Sequence, residues 1–278
     1  MELWIAIPET AISDEQTKRD KSIKISQFAR ACAIFRVKRI YIYHCKNSRI
    51  EKEDLNILTT LLRYLDTPQY LRRILYTRMK ELEYAGILHP VKAPHHKRIE
   101  DVKNIKIDDI RVGVIVKVKG TLYVEVGLGT LVPYDGKGFE GMKVNVKFTS
   151  SYPNLRTKEA STVDIKGCYW GYEVKEVPSL HKFLKGTENT QVLIASRKGS
   201  YFKSNEVKLI ERLKSIPNLL VVFGGPKKGV AEILIDEGQS IKSYDFVVNM
   251  FPFQGTETVR LEESVLGTLA ILNHTFFK

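Results

Sequence analysis

Apolar residues follow two rhythms along this chain, and the rhythm changes twice. LWIAIP (3–8) and RIYIYH (39–44) are short, nearly continuous apolar runs, the pattern of buried strands. Between them Ile25, Phe28, Ala29, Cys32 and Phe35 recur at spacings of three and four, which predicts a helix over about 17–36. Strand, helix, strand is a βαβ unit and implies a parallel sheet. Helical spacing continues over 53–84 with a break at Thr67-Pro68, where a proline opening a helix needs no N–H. From about 88 to 168 the rhythm becomes period two: VGVIVKVKG, TLYVEVG and MKVNVKFTS alternate apolar and polar residues between glycine turns. The expectation is a small antiparallel module, a five-stranded barrel. After 168, GYEVKEV, QVLIAS, LLVVFGG and YDFVVNM read as strands, with helical stretches at 179–185, 204–215 and 229–236.

The simplest organisation is one α/β domain built from 1–88 and 169–278, with a β module inserted at 89–168. The chain closes on FPFQGTETVRLEESVLGTLAILN, a tight polar loop and then a helix. Leu261, Val265, Leu269 and Leu272 form its apolar stripe. Thr258 is placed to cap it, and Glu262 and Glu263 sit in its first turns, where negative charge is favoured.

Composition adds a partner. At 278 residues, 43% hydrophobic and 27% charged, the chain is ordinary for a globular protein with one or two domains. No apolar run approaches a membrane span. MELWIAIPET lacks the charged start and long apolar core of a signal peptide, so a cytoplasmic location is expected. Cys32, Cys45 and Cys168 form no CxxC pair, which argues against a disulfide framework or a zinc site. The net charge of +12 is clustered: eight Lys/Arg lie between Lys18 and Arg39 against one acid, Asp20. Arg63, Arg72, Arg73, Arg78 and Lys80 form a second cluster. Clustered positive charge is the footprint of a polyanion partner, here nucleic acid.

Three polar loops follow three predicted strands: Ser196–Ser200, Gly224-Gly225-Pro226 and Gln254-Gly255-Thr256. In open parallel sheets ligands bind at the carboxyl ends of strands. A glycine after a strand is usually only a turn, but three such loops in the last 85 residues point to a shared site. Familiar nucleotide motifs fail. FGGPKKGVAE has glycines at P-loop spacing, but Val230 and Ala231 replace the Lys and Ser/Thr. No GxGxxG follows the first strand, and HExxH and GxSxG are absent.

GTETVRLEESVLGTLAILN, taken with VVFGGP, resembles the C-terminal cofactor region of the SPOUT (α/β-knot) RNA methyltransferases, in the archaeal and eukaryotic branch with an inserted OB-like domain. KISQFARACAIFRVKRIYIYH resembles that branch's N-terminal motif. TPQYLRR with GILHPVKAPHH resembles the segment before its insertion, and IASRKGS its first knot-region loop. The resemblance covers essentially the whole chain. It implies a trefoil-knotted parallel sheet with an inserted OB-like β-barrel, a homodimer formed through the knot region, and S-adenosylmethionine as methyl donor.

By the resemblance, Ser196, Arg197, Gly224, Gly225, Asn249, Gln254, Gly255 and Thr256 hold the cofactor, with Arg197 meeting its carboxylate. Arg30 is the expected catalytic or RNA-positioning residue, with Gln27 one turn before it. Glu262 and Glu263 are proton-acceptor candidates that helix-start electrostatics also explains. Lys18, Arg19, Lys24, Gln27, His95, His96, Lys97 and Arg98 are the expected RNA contacts. The adjacent histidines are expected to point in different directions and to form no metal pair. Tyr123, Tyr134 and Phe139 of the inserted module are candidates for stacking on bases. Methyl transfer from a sulfonium needs no metal, only alignment of acceptor, methyl and sulfur. The leading expectation is an RNA base methyltransferase acting on ribosomal RNA, with uridine N3 as the acceptor. The alternatives are ribose 2′-O methylation and a non-catalytic RNA-binding assembly factor.

Overall fold

The computed structural model describes residues 1–46, 52–165 and 167–276. They form two compact units: Met1–Arg63 with Lys80–Val91 and Gly171–Lys278, and Tyr64–Met79 with Lys92–Trp170.

The first unit carries a six-stranded sheet. Its strands are β1 (Glu2–Pro8), β2 (Arg39–His44), β8 (Glu173–Ser179), β9 (Thr190–Tyr201), β10 (Asn218–Val222) and β11 (Val247–Asn249), in the order β11-β9-β10-β1-β2-β8. Every neighbouring pair is parallel. That explains why LWIAIP and RIYIYH are continuous apolar runs: strands covered on both faces bury every side chain. Residues 3–8 are all buried. Trp4, Ala6, Tyr41, Tyr43, Leu220 and Val222 share one core cluster with α4 (Leu180–Lys185) and α6 (Val230–Asp236).

Helix α1 (Lys18–Ile34) is capped by Thr17, whose side chain accepts the Asp20 N–H at 3.1 Å. Its predicted face is buried at Ile25, Phe28, Ala29 and Cys32. It packs on α7 (Leu261–Phe276), where the stripe Leu261, Val265, Leu269 and Leu272 is likewise buried. Thr258 does not cap α7. The helix begins at Leu261, and the Glu263 carboxylate accepts the Arg260 N–H at 2.9 Å, which is half of a capping box.

The second unit is a closed barrel of β3 (Ile110–Val118), β4 (Thr121–Glu125), β5 (Val132–Asp135), β6 (Lys143–Ser150) and β7 (Arg156–Glu159), ordered β3-β4-β5-β7-β6. All pairs are antiparallel except β5 with β7. Two sequence boundaries change. The break expected at Thr67-Pro68 separates α2 (Lys52–Leu65) from α3 (Gln69–Leu75), but the helical stretch expected to reach 84 ends at Leu75 and is followed only by short 3-10 turns at Lys80–Leu82 and Ala85–Ile87. The stretch Tyr64–Met79, expected with the α/β domain, clusters with the barrel. The physical cause is packing: Leu71, Tyr70 and Leu75 cover Val112 and Val114, and the Tyr70 hydroxyl donates to the Val112 carbonyl at 2.7 Å.

Candidate functional site

Residues 195–198 within β9, and the ends of β10 and β11 with the segments that follow them, surround a cavity of about 750 Å³. Its walls are drawn from residues 195–198, 223–227, 229–232, 249–251, 254, 258–261 and 264, together with Asp14 from the loop after β1. Ser196–Ser200 is not a loop after a strand, as expected, but part of β9. Pairing with β11 jumps from Ile194↔Val247 to Ser200↔Val248, so residues 195–199 bulge out of the ladder towards the cavity. Gly199 permits this, because a Cβ there would lie 2.6 Å from the Val247 carbonyl oxygen.

The second wall turns on Gly224. A Cβ on it would meet the Gly229 Cα at 2.7 Å and the Val230 nitrogen at 2.8 Å, backbone that cannot yield. Gly225 closes the same turn by donating its N–H to the Lys228 carbonyl at 2.8 Å. Its own Cβ would point at Thr10 Oγ1, 2.6 Å away, so a branched residue here strains the loop against the end of β1.

Asn249 staples the first wall to the third. Its Nδ2 donates to the Arg197 carbonyl at 3.1 Å and its Oδ1 accepts the Phe251 N–H at 2.9 Å. Gln254 Nε2 donates to the carbonyls of Thr256 and Glu257 at 2.9 and 3.1 Å. Arg197 Nη1 donates to the Glu257 carbonyl at 2.6 Å. One guanidinium nitrogen is therefore engaged in fixing the loop. Of the eight expected pocket residues, Ser196, Arg197, Gly224, Gly225, Asn249 and Gln254 line the cavity. Gly255 and Thr256 do not, and a Cβ on Gly255 would meet open space.

A charged network forms part of the wall. Lys24 is 2% exposed and grips both Asp14 oxygens at 2.6 and 2.7 Å, with Glu262 at 3.1 Å. Arg260 pairs with Asp14, Glu15 and Glu262. Burial alone would raise the Asp14 carboxyl, but the hydrogen bonds and charge of Lys24, with Arg260, bring it below its ordinary value. Across the cavity Glu232 is also lowered, chiefly by its hydrogen bond to Lys198 at 3.0 Å. Asp14, Glu232 and Arg260 were missed from the sequence. Asp14 carries a signal: it lies in a loop after a parallel strand, as the segments after β10 and β11 do.

Several expected RNA contacts are placed elsewhere. Lys24 is a buried counter-ion, not a surface base, because two carboxylates close over it. Lys18 is half-buried beside Glu53 and Glu83, and Lys21 is held by Asp54 at 2.6 Å. The basic run on α1 is thus partly neutralised by acids distant in sequence. Arg19, at 60% exposure, and Gln27 face solvent. Arg30 does not line the cavity; its Nη1 donates to the Pro90 carbonyl at 2.7 Å. Within one chain that makes it a tether for the 80–91 segment.

In the barrel unit Lys97 and Arg98 are exposed. His95 is fully buried, and His96 is half-buried. Both rings point the same way, contrary to expectation: their Nε2 atoms approach the Asp66 carbonyl oxygen at 2.8 and 3.0 Å. The His96 imidazole is pushed down to about 4, first by burial and then by the neighbouring His95. Tyr134 is buried in the barrel core, which removes it from the stacking candidates, whereas Phe139 is 71% exposed.

Residues 2–272 match the model of the family described as "Putative RNA methyltransferase". The chain is 29% identical to the 28S rRNA (uridine-N(3))-methyltransferase of Mus musculus, over 97% of this chain and 75% of that protein. It is 28% identical to the human protein of the same name, over 97% and 77%. An uncharacterised protein of Haloarcula marismortui is 27% identical over 98% of both chains. A family match over nearly the full length, on a parallel sheet with a separate closed barrel, establishes that the chain belongs to this SPOUT-type family of RNA methyltransferases.

Proposed function

We propose that this chain methylates ribosomal RNA at uridine N3, with S-adenosylmethionine as donor. The observation that carries the reading is one cavity on which three separate segments, the bulge in β9 and the stretches after β10 and β11, converge. Its volume suits a ligand of nucleoside size. Its chemistry suits a zwitterion with a sulfonium: carboxylates of Asp14 and Glu232 share the walls with Arg197, Lys198, Lys227 and Arg260. Gly224 lets backbone come close, as recognition of a neutral base by donors and acceptors requires.

When bound, S-adenosylmethionine supplies a methyl group on an electrophilic sulfur. The chain's part is alignment. Asn249 and Arg197 fix the first and third walls against each other. Gly224 and Gly225 shape the second wall. Asp14 stays ionised beside Lys24 and accepts hydrogen bonds from donors on the bound molecules. The uridine acceptor rests on the names of the mouse and human relatives.

The remaining features belong to the same proposal. The knot passes the final loop and α7 through the segment around the cavity. The closed five-stranded barrel is OB-like in its strand order and, with Lys97, Arg98 and Phe139 exposed, binds RNA. Arg19 and Gln27 contribute on α1. Dimerisation uses exposed apolar side chains near the cavity loops, Phe253 at 91% and Leu266 at 48%, since the α7 stripe is already spent in the core. The location is cytoplasmic. Calorimetry with S-adenosylmethionine tests the pocket: the account expects one site per chain, and no measurable heat in a folded protein contradicts it.

A further inference from the structure

The barrel unit holds a cluster that the cavity and its chemistry do not use. Asp66, in the turn between α2 and α3, meets His95 and His96 from the segment leading into the barrel. Adjacent side chains usually diverge, but a turn closed by the His96 N–H on the Ala93 carbonyl at 2.8 Å brings both rings to one side. The histidine nitrogens and the Asp66 carboxylate all offer donor atoms within 4.8 Å of one another.

We infer that Asp66, His95 and His96 form a binding site for a first-row transition dication, with Zn²⁺ the best-matched common ion. Three observations carry this. The first is geometric. A metal about 2.0–2.2 Å from nitrogen and oxygen donors sets neighbouring donors about 2.8–3.6 Å apart. His95 Nε2 lies 2.8 Å from the Asp66 carbonyl oxygen and 3.3 Å from its Oδ1, and His96 Nε2 lies 3.0 Å from the same carbonyl. All three separations fall within the range of such edges, and one ligand atom from each residue lies within 4.8 Å of the others.

The second is charge. The Asp66 carboxylate, 7% exposed, presents Oδ1 to His95 Nε2 at 3.3 Å and Oδ2 to Lys143 at 3.2 Å, so an anionic oxygen stands beside the imidazole donors, as a dication site requires. Lys143 then serves as the outer partner that orients a ligating carboxylate. The third is donor type. Imidazole with carboxylate and carbonyl oxygen suits Zn²⁺, Ni²⁺ and Co²⁺ better than Ca²⁺ or Mg²⁺, which prefer all-oxygen sets. The competing arrangement is metal-free, with both rings donating N–H to the Asp66 carbonyl. The site would clamp the turn at 66–68 to the segment at 93–98, both within the barrel unit.

The test uses the full chain, stripped with a chelator and titrated with Co²⁺ while visible absorption is followed. The proposal expects d–d bands saturating at about one Co²⁺ per chain, displacement by Zn²⁺, and a raised melting temperature with either ion. His96→Asn and Asp66→Asn should each weaken binding by about a hundredfold or more while S-adenosylmethionine binding persists. No bands and no thermal shift in the wild-type chain overturn the proposal. So does undiminished Co²⁺ binding in the folded variants. If a variant fails to fold, proton NMR of the wild type decides: Zn²⁺ should shift the ring signals of His95 and His96, and unmoved signals overturn the assignment.

Discussion

Gly224 and Gly255 sit in two of the loops around the cavity, and the structure gives them opposite weights. A methyl group on Gly224 would run into Gly229 and Val230 backbone at under 3 Å, whereas one on Gly255 meets nothing within 4 Å. Gly224→Ala should therefore open the second wall and weaken S-adenosylmethionine binding at least tenfold, about 1.4 kcal/mol. Gly255→Ala should leave affinity unchanged. Calorimetry on the pair checks this, and equal losses would mean the loops are not distinguished as described. Lys24 makes a second residue-scale prediction. Replacing it by Met leaves Asp14 and Glu262 facing each other without their buried cation, which costs on the order of 3–5 kcal/mol. Denaturant unfolding would show the loss, and a change within 1 kcal/mol would assign the charge balance to Arg260 instead. Neither result was readable from sequence. Lys24 is one of eight basic residues in its run, and only folding decides that it, and not Arg19, turns inward.

Elements were easier to read than residues. β1, β2 and β10 announced themselves as apolar runs, whereas β8 is mostly exposed; the stripes on α1 and α7 fell where spacing placed them, apart from Phe35, which caps α1 half-buried, because burial on one face is a local pattern. What sequence did not show was long-range. The bulge in β9 exists because β11 pairs on both sides of it. β5 and β7 are only four residues each, too short for a clear alternation. The 66–68 turn joins the barrel segment through His95 and His96, 29 and 30 residues away. That junction gives a pH prediction for the metal-free protein. The His96 imidazole sits at about 4 in the fold, below the ordinary 6.5, so the unfolded chain binds the extra proton first. Its contribution to stability is present above about pH 6.5 and is lost as pH falls towards 4. Melting temperatures at pH 7, 5.5 and 4.5 should fall more steeply for the wild type than for His96→Asn. Parallel curves would show that the ring is not buried in its neutral form.

At the scale of the whole molecule, the net charge of +12 acts through the side chains that the fold leaves exposed. Each phosphate neutralised releases counterions, so RNA affinity should fall linearly with the logarithm of salt concentration. Removing Lys97 and Arg98 together should reduce that slope by about two, and an unchanged slope would take RNA binding away from this face of the barrel unit. Cavity, methyl donor and acceptor can be tested together in one measurement. Purified protein is incubated with S-adenosylmethionine and ribosomal RNA from cells lacking the gene, and the nucleosides are resolved by mass spectrometry. The account predicts that 3-methyluridine forms with wild-type protein and is lost with Gly224→Ala. A 2′-O-methylated nucleoside in its place, or no methylation by a folded protein that binds the donor, would contradict it.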